Sequence, residues 1–240
     1  MQIEIHADVL CPWSYIAKRR LEAASALAGT ATEIVWRSFE LSPEGGAIPG
    51  ESAADMIRQW RGDAAAARIA EIMAFGAAEG LQLDLEKARP VNSFNAHRLV
   101  HLGAAAGKAD AVMERLLRAY HSEAQNIAVT GVLDRHGREA GLDPSAVAAL
   151  LAGEDFGDAV RADKRLAAER GISGVPMMVL AGQAPTSAVK PLDELVGLLR
   201  QAADRLRSKQ MAHGDRTATP PASCSCNLGE VAAASQRNQG

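Results

Sequence analysis

The cysteine of a Cys-Pro-Trp-Ser motif at residues 11–14 lies where a short strand is expected to meet a helix. Residues 2–8 alternate apolar and polar side chains, which predicts a strand, and a helical pattern follows the motif. Pro12 suits the first helical turn, where its missing N–H costs nothing. Unpaired N–H groups at a helix N-terminus stabilise an anion, so we expect a lowered pKa and rapid alkylation for Cys11. A buried, space-filling cysteine is the alternative.

The two residues that follow the proline decide what such a thiol could do. Ser14 occupies the place of the second sulfur in a C-x-x-C motif, so a dithiol cycle within the motif is not available. Its hydroxyl could donate a hydrogen bond to a Cys11 thiolate, or it could be an ordinary solvated serine. Trp13 could offer a flat contact surface to a peptide or aromatic substrate, or its ring could fold onto the protein.

A second motif lies far along the chain, where Gly174-Val175-Pro176 leads into a short apolar strand at 177–180. An X-Pro bond in such a tight entry can be cis. Exposed backbone beside it could pair with an extended substrate. We therefore expect a cis Val175–Pro176 bond next to Cys11.

The two motifs together resemble a known family. Residues 8–22 are similar to the opening of the FrnE-like branch of the DsbA family, and Gly171–Pro176 is the clearest downstream match. The same superfamily contains the 2-hydroxychromene-2-carboxylate isomerases and the kappa-class glutathione transferases. The resemblance covers about residues 1–205. It implies an α/β, thioredoxin-like fold with an all-helical insertion, in which Cys11 is the nucleophile and Pro176 the cis-proline.

The sequence also departs from its relatives. FrnE-like proteins usually carry C-P-W-C, whereas Ser14 replaces the second cysteine here. Kappa transferases and the isomerases typically have serine at the position of Cys11. They also carry a Ser-Asp pair for glutathione after the cis-proline strand, and the matching stretch at 187–190 lacks that aspartate. These departures count against a kappa-type glutathione site.

The resemblance therefore implies a DsbA-like thiol-disulfide oxidoreductase with a single active-site cysteine. Cys11 and Ser14 are the expected catalytic residues, and Trp13, Val175 and Pro176 are expected to bind a protein disulfide or a small-molecule thiol substrate. No bound cofactor is expected, with glutathione as the candidate co-substrate. Two alternatives stay open: a glutathione-assisted isomerase of an aromatic or polyketide-like molecule, and a peptide-binding protein without catalysis.

The pattern divides the chain into four segments. Residues 1–42 and 152–210 are expected to form the two halves of the thioredoxin-like domain. Residues 43–151, rich in Ala, Leu and Arg, are expected to form a helical insertion of four to six helices. Residues 211–240 contain no aromatic and almost no large aliphatic side chain, so we expect a disordered tail.

Other candidate groups give weaker signals. Cys224 and Cys226, in the expected tail, could resolve a mixed disulfide at Cys11 or could be exposed thiols of no set role. His97 and His101 share one face of a predicted helix. Neither group has the ligand number or spacing of a common metal site, so no metal is expected.

Charge and hydropathy exclude some classes of function. The chain has 240 residues, a formal net charge of −3 and a pI near 6.1, which disfavour nucleic-acid or anionic-membrane partners. No apolar run reaches the ~20 residues that a membrane span needs. The first residues show no basic segment followed by an apolar one, so we expect a soluble, cytoplasmic protein.

Overall fold

The computed structural model describes residues 1–214, with side chains through Ser208. Its strands form one mixed sheet in the order β2-β1-β3-β4. They are β1 (Gln2–Ala7), β2 (Glu33–Ser38), β3 (Met177–Leu180) and β4 (Thr186–Ser187). β1 runs parallel to β2 and antiparallel to β3. The expected strand at 2–8, the helix after the motif and the strand at 177–180 are therefore confirmed, whereas the two-residue β4 was too short for the alternation to reveal.

Helices make up most of the remainder. They are α1 (Pro12–Ala28), α2 (Ala53–Arg61), α3 (Ala65–Ala78), α4 (Phe94–Ala105), α5 (Ala109–His121), α6 (Thr130–Glu139), α7 (Pro144–Ala152), α8 (Gly157–Glu169) and α9 (Leu192–Gly214). A short 3-10 turn, Gly62–Ala64, joins α2 to α3. Seven helices, α2 to α8, lie between β2 and β3, and six of them, α2 to α7, fall in the stretch where four to six were expected. Of the helices described, none is long and apolar enough to cross a membrane.

The end of α9 corrects one expectation. The helix continues to Gly214, so residues 211–214 are helical although we placed them in a disordered tail. Residues 215–240, which include Cys224 and Cys226, lie outside the described residues.

The junction that carries Cys11 is anchored by the core on both sides. Ile3 and Ile5 of β1 and Ile16 and Leu21 of α1 are completely buried members of one hydrophobic cluster. Full burial of each such side chain stabilises the fold by about 1.5–3 kcal/mol. The strand end and the helix start are therefore fixed relative to one another.

A buried ion-pair cluster joins α1 to the insertion. Lys18, whose side chain is 2% exposed, lies 3.0 Å from Asp110 and 3.2 Å from Glu114 of α5. It also pairs with Glu22 on its own helix. A buried cation requires such partners, because removing one would leave an uncompensated charge. The insertion is thus docked directly on the helix that begins at the active-site motif.

Candidate active site

Cys11 is the residue from which α1 starts. Its backbone is extended, with φ −88° and ψ 113°, and Pro12 takes the first helical position as predicted. The Cys11 N–H donates to the carbonyl of Asp8 (3.1 Å), and the Ser14 N–H donates to the carbonyl of Cys11 (2.9 Å). These bonds form a tight turn that holds the sulfur at the helix N-terminus.

The second motif lies directly against this thiol. The Val175–Pro176 bond is cis, as predicted. The Cys11 thiol donates to the Val175 carbonyl across 3.5 Å, although 164 residues separate the two in sequence. The neighbouring carbonyl of Pro176 accepts from the Ala188 N–H at 3.1 Å, which ties this loop to the end of β4. The fold therefore brings together Cys11, Val175 and Pro176 as expected.

The ionisation of Cys11 differs from expectation. Burial raises the pKa of the thiol from about 9 to about 11, with a smaller contribution in the same direction from the Asp8 charge. The N–H groups of Trp13 and Ser14 and the Ser14 hydroxyl favour the thiolate, as the helix N-terminus argument requires. Because Cys11 is only 5% exposed, desolvation outweighs them. The expected lowered pKa is wrong for this structure, in which the resting thiol is neutral at pH 7.

Ser14 is buried rather than solvated. Its side chain is 0% exposed, and among the described residues its Oγ has no hydrogen-bond partner at ordinary geometry. The hydroxyl nevertheless lies close enough to the Cys11 sulfur to favour the thiolate. A buried hydroxyl without a partner is costly in a folded protein. Ionisation of Cys11 would supply the acceptor that this hydroxyl lacks.

A buried carboxylate shapes the turn beneath Cys11. Asp8 is 0% exposed and accepts hydrogen bonds from the N–H groups of Leu10 (3.2 Å) and Leu41 (2.7 Å). It also pairs with Nε2 of His97 on α4 at 3.2 Å. Asp8 therefore connects the cysteine turn, the segment after β2 and the insertion.

The two histidines of α4 do not converge on one site. His97 pairs with Asp8, whereas His101 lies 3.1 Å from a different carboxylate, Asp163 of α8. Among the side chains described, those of residues 1–208, no group of three or more His, Cys, Asp or Glu is placed to hold a metal ion. Each histidine instead joins α4 to another part of the fold.

Two polar residues at the end of α5 also lie beneath the cysteine, and sequence reasoning missed them. His121 is 1% exposed and its ring faces the carbonyls of Val9 and Cys11. Neither ring nitrogen, nor the hydroxyl of the adjacent Tyr120, has a hydrogen-bond partner among the described residues at ordinary geometry. Burial lowers the pKa of His121 to about 4, so the imidazole is neutral at pH 7.

A groove of about 790 Å³ opens on the other side of the motif. One wall comes from α1 and α3, and the other from the cis-proline loop and the segment after β4. The lining residues are Trp13, Arg20, Arg68, Glu71, Phe75, Gly171, Ile172, Ser173, Gly174, Val175, Pro176, Met177, Ser187, Val189 and Pro191. Cys11 is not a lining residue, but its sulfur lies 3.5 Å from the carbonyl of Val175, which is one.

Trp13 is part of this groove and is also folded onto the protein. The Arg68 guanidinium lies 4.6 Å from the centre of its ring, and Phe75 meets it edge to face at 5.5 Å. Trp13 is therefore a wall of the groove rather than a free platform. The sequence signal for Arg68 and Phe75 was their spacing with Glu71, which places the three on one face of α3.

Comparison with known proteins places this geometry in a family. A family model described as the DSBA-like thioredoxin domain matches residues 2–200. The crystal structure of a probable DsbA oxidoreductase from Streptomyces coelicolor is 32% identical, with a TM-score of 0.78 over 85% of this chain and 90% of that chain.

Two more distant structures share the fold. A 2-hydroxychromene-2-carboxylate isomerase is 21% identical, with a TM-score of 0.63 over 88% of this chain and 98% of that one. The cytosolic disulfide reductase DsbM from Pseudomonas aeruginosa is 19% identical, with a TM-score of 0.57 over 88% of this chain and 100% of that one. DsbM has also been solved with glutathione. The expected thioredoxin-like fold with a helical insertion is confirmed, and the chain belongs to the DsbA-like thioredoxin domain family.

Proposed function

We propose that this protein is a monothiol thiol-disulfide oxidoreductase, in which Cys11 forms a mixed disulfide that glutathione or a similar thiol resolves. The observation that carries the proposal is the position of Cys11. Its sulfur lies at the N-terminus of α1, 3.5 Å from the Val175 carbonyl at the floor of an open groove. The likeness to a probable DsbA oxidoreductase at 32% identity supports the same class of reaction.

The proposed reaction has two exchange steps. Cys11 loses its proton to solvent, and the thiolate attacks one sulfur of a substrate disulfide R–S–S–R′. A Cys11–S–S–R bond forms as the R–S–S–R′ bond breaks, and R′–S⁻ takes up a proton. A glutathione thiolate then attacks the R sulfur, which gives R–S–S–glutathione and returns Cys11 as a thiolate that is reprotonated. The net change is transfer of the R–S group from R′–S to the sulfur of glutathione, which releases R′–SH and leaves the number of disulfides unchanged.

The buried thiol must first become accessible. An extended substrate whose backbone N–H donates to the Val175 carbonyl would take the acceptor that now holds the Cys11 proton. The N–H groups of Trp13 and Ser14, together with the Ser14 hydroxyl, would then stabilise the thiolate. Substrate binding and thiol activation are thereby coupled at one carbonyl.

The other candidate functions have less support. The likeness to the isomerase is below 25% identity and is a likeness of fold alone. A peptide-binding protein would use the same groove without forming a bond to sulfur. In the proposed function a reducing cytoplasm, the compartment expected from the sequence, would supply the resolving thiol.

Trapping the mixed disulfide tests the proposal. The reduced full-length protein is mixed with glutathione disulfide, and intact-mass and peptide-mapping measurements locate the adduct. We expect one glutathione on Cys11, in the native chain and in a Cys224→Ser/Cys226→Ser variant.

Activity is then measured as insulin reduction by glutathione. The Cys11→Ser variant should lose at least about two orders of magnitude in turnover, since the proposed covalent intermediate forms on the Cys11 sulfur. An adduct confined to Cys224 or Cys226, or none at all, would overturn the proposal. If the Cys224→Ser/Cys226→Ser variant forms the adduct but no longer turns over, the tail thiols are the resolving group instead of glutathione.

A further inference from the structure

Cations and aromatic rings alternate along the helical wall of the groove. The Arg68 guanidinium lies 4.6 Å from the Trp13 ring centre, and the Arg20 guanidinium lies 4.8 Å from that of Phe75. Trp13 and Phe75 touch each other edge to face between them. Stacking on an aromatic face fixes the plane of a guanidinium and lowers the entropy cost when it binds a ligand.

The two arginines differ in how much bonding capacity remains. Arg20 is 12% exposed, donates from Nε to Glu79 (2.7 Å) and from Nη1 to the Lys190 carbonyl (3.3 Å). Arg68 is 34% exposed and makes one hydrogen bond to the described residues, from Nη1 to Glu71 at 2.6 Å. A guanidinium has five N–H donors in a planar fork. Arg68 is thus the more exposed cation of this wall and the one with more of its donors left for a ligand.

We propose that Arg68 selects disulfide substrates that carry a carboxylate close to the reacting sulfur. This inference rests on the proposed function, because it names the substrate class of the same groove. Trp13, on which Arg68 is stacked, is two residues from Cys11. A carboxylate bound there belongs to the residue that holds the attacked sulfur or to one near it.

The geometry favours a carboxylate over a neutral group. Arginine binds carboxylates through two parallel N–H donors, and Glu71 engages one terminal nitrogen of Arg68 and leaves the rest of the fork free. Arg20 is paired with Glu79 and Arg68 with Glu71, so the feature of the groove that suits a carboxylate is the set of free donors on Arg68. The substrate class is an acidic peptide disulfide with a carboxylate close to the reacting sulfur. Glutathione disulfide and a disulfide in an acidic segment of a protein both belong to it.

Matched substrates that differ only in carboxylates test this inference. One pair is glutathione disulfide and its tetraethyl ester, and the other is a disulfide-linked peptide with Glu or with Gln beside each cysteine. We expect the acidic member to have the higher kcat/KM by about tenfold, the value of one charge-assisted hydrogen bond. A larger preference in the glutathione pair would identify glutathione disulfide as the substrate. A larger preference in the peptide pair would identify an acidic segment of a protein.

Variants place the preference at one residue. Arg68→Gln should reduce the ratio of kcat/KM for the acidic substrate to kcat/KM for the neutral one to about one, through a change in KM. Arg68→Lys should keep part of the preference for the acidic substrate. Arg58→Gln is the control, because Arg58 is an exposed arginine of α2 that pairs with Asp55 and Glu86 away from the groove. An unchanged ratio in Arg68→Gln, with a wild-type melting temperature, would overturn the inference. So would equal kcat/KM values for both members of each pair in the native protein.

A binding experiment separates this inference from the proposed chemistry. S-methylglutathione has the same carboxylates but no exchangeable sulfur, and calorimetry with it and with its diethyl ester needs no reaction at Cys11. Arg68-dependent preference for the acid, without any mixed disulfide at Cys11, would support recognition and overturn the oxidoreductase proposal. Mixed-disulfide formation at Cys11 with equal binding of acid and ester would support the oxidoreductase proposal and overturn the inference about Arg68.

Discussion

The two sides of Cys11 are built from different kinds of residue. Beneath the sulfur, Asp8 and His97 form a buried pair, and His121 is an equally buried imidazole without a hydrogen-bond partner among the side chains and backbone described. Above it, Arg68 and Trp13 form a stacked, partly exposed wall. The side below fixes where the thiol is, whereas the side above decides what reaches it. Changes below should therefore alter stability and ionisation, and changes above should alter substrate choice.

Removal of the Asp8 carboxylate is the strongest test of the lower side. Asp8→Ala leaves the N–H groups of Leu10 and Leu41 and the His97 ring without their acceptor in a buried site. We expect a loss of about 3 kcal/mol in the free energy of unfolding, measured by urea denaturation.

The control is Asp158→Ala, because the side chain of Asp158 is 99% exposed. That variant should change the free energy of unfolding by less than about 0.5 kcal/mol. Similar losses in the two variants would show that Asp8 does not hold the turn beneath Cys11.

The ionisation of Cys11 gives a second test, because the thiol pKa responds both to the Asp8 charge beneath the sulfur and to burial by the segments that cover it. Burial raises the pKa of the thiol from about 9 to about 11, so the thiolate fraction near pH 7.5 should be roughly a hundredfold smaller than in the unfolded chain. Iodoacetamide alkylation of the Cys224→Ser/Cys226→Ser protein, followed against pH with and without urea, measures this. Native alkylation as fast as that of the unfolded chain would contradict a closed resting site.

The same shift has a consequence for stability, with a definite sign. A group whose pKa is higher in the folded state contributes stability that is complete below its unfolded pKa and lost as pH rises. The contribution of Cys11 should therefore decline between about pH 9 and pH 11. The free energy of unfolding of Cys11→Ala, measured beside that of the parent across this pH range, should lack the decline that Cys11 causes.

The sequence predicted the groups that chemistry constrains and missed those that packing brings together. Cys11, Pro12 and the cis-proline entry at Val175–Pro176 carry short-range signals, a helix N-terminus and an X-Pro bond before a strand. Arg68 and Phe75 carry only their helical spacing, which places them on one face of α3 but says nothing about the groove. They reach the groove only because α3 docks beside α1, which no local pattern encodes.

The pKa of Cys11 was predicted with the wrong sign for a similar reason. A helix N-terminus can be identified from Pro12, and its stabilising effect on a thiolate is present in the structure. The opposing effect, desolvation, depends on the loop at Val175, which comes from the other end of the chain and covers the sulfur. Burial by distant segments is a tertiary property, and here its effect on the thiol pKa outweighs that of the helix N-terminus.

Ser14 lies between the two sides and gives the third test, on resolution of the mixed disulfide. Its buried Oγ is beside the Cys11 sulfur, so Ser14→Cys would place a second thiol within the same helical turn. A tethered thiol has a far higher effective concentration than a thiol from solution. We expect insulin reduction with a dithiol reductant to rise about tenfold, because tethered groups act at millimolar or higher effective concentrations.

The comparison is made in the Cys224→Ser/Cys226→Ser background, so that no tail thiol can contribute. Ser25→Cys is the control, since Ser25 lies three turns further along α1 and bonds to Thr32 instead of facing the sulfur. That variant adds a thiol to the same helix without tethering it at Cys11, and its rate should not rise. Equal rates for Ser14→Cys and its parent would mean that resolution is not limiting. The slow step would then be opening of the site at Val175, and control of turnover would belong to the groove above the thiol.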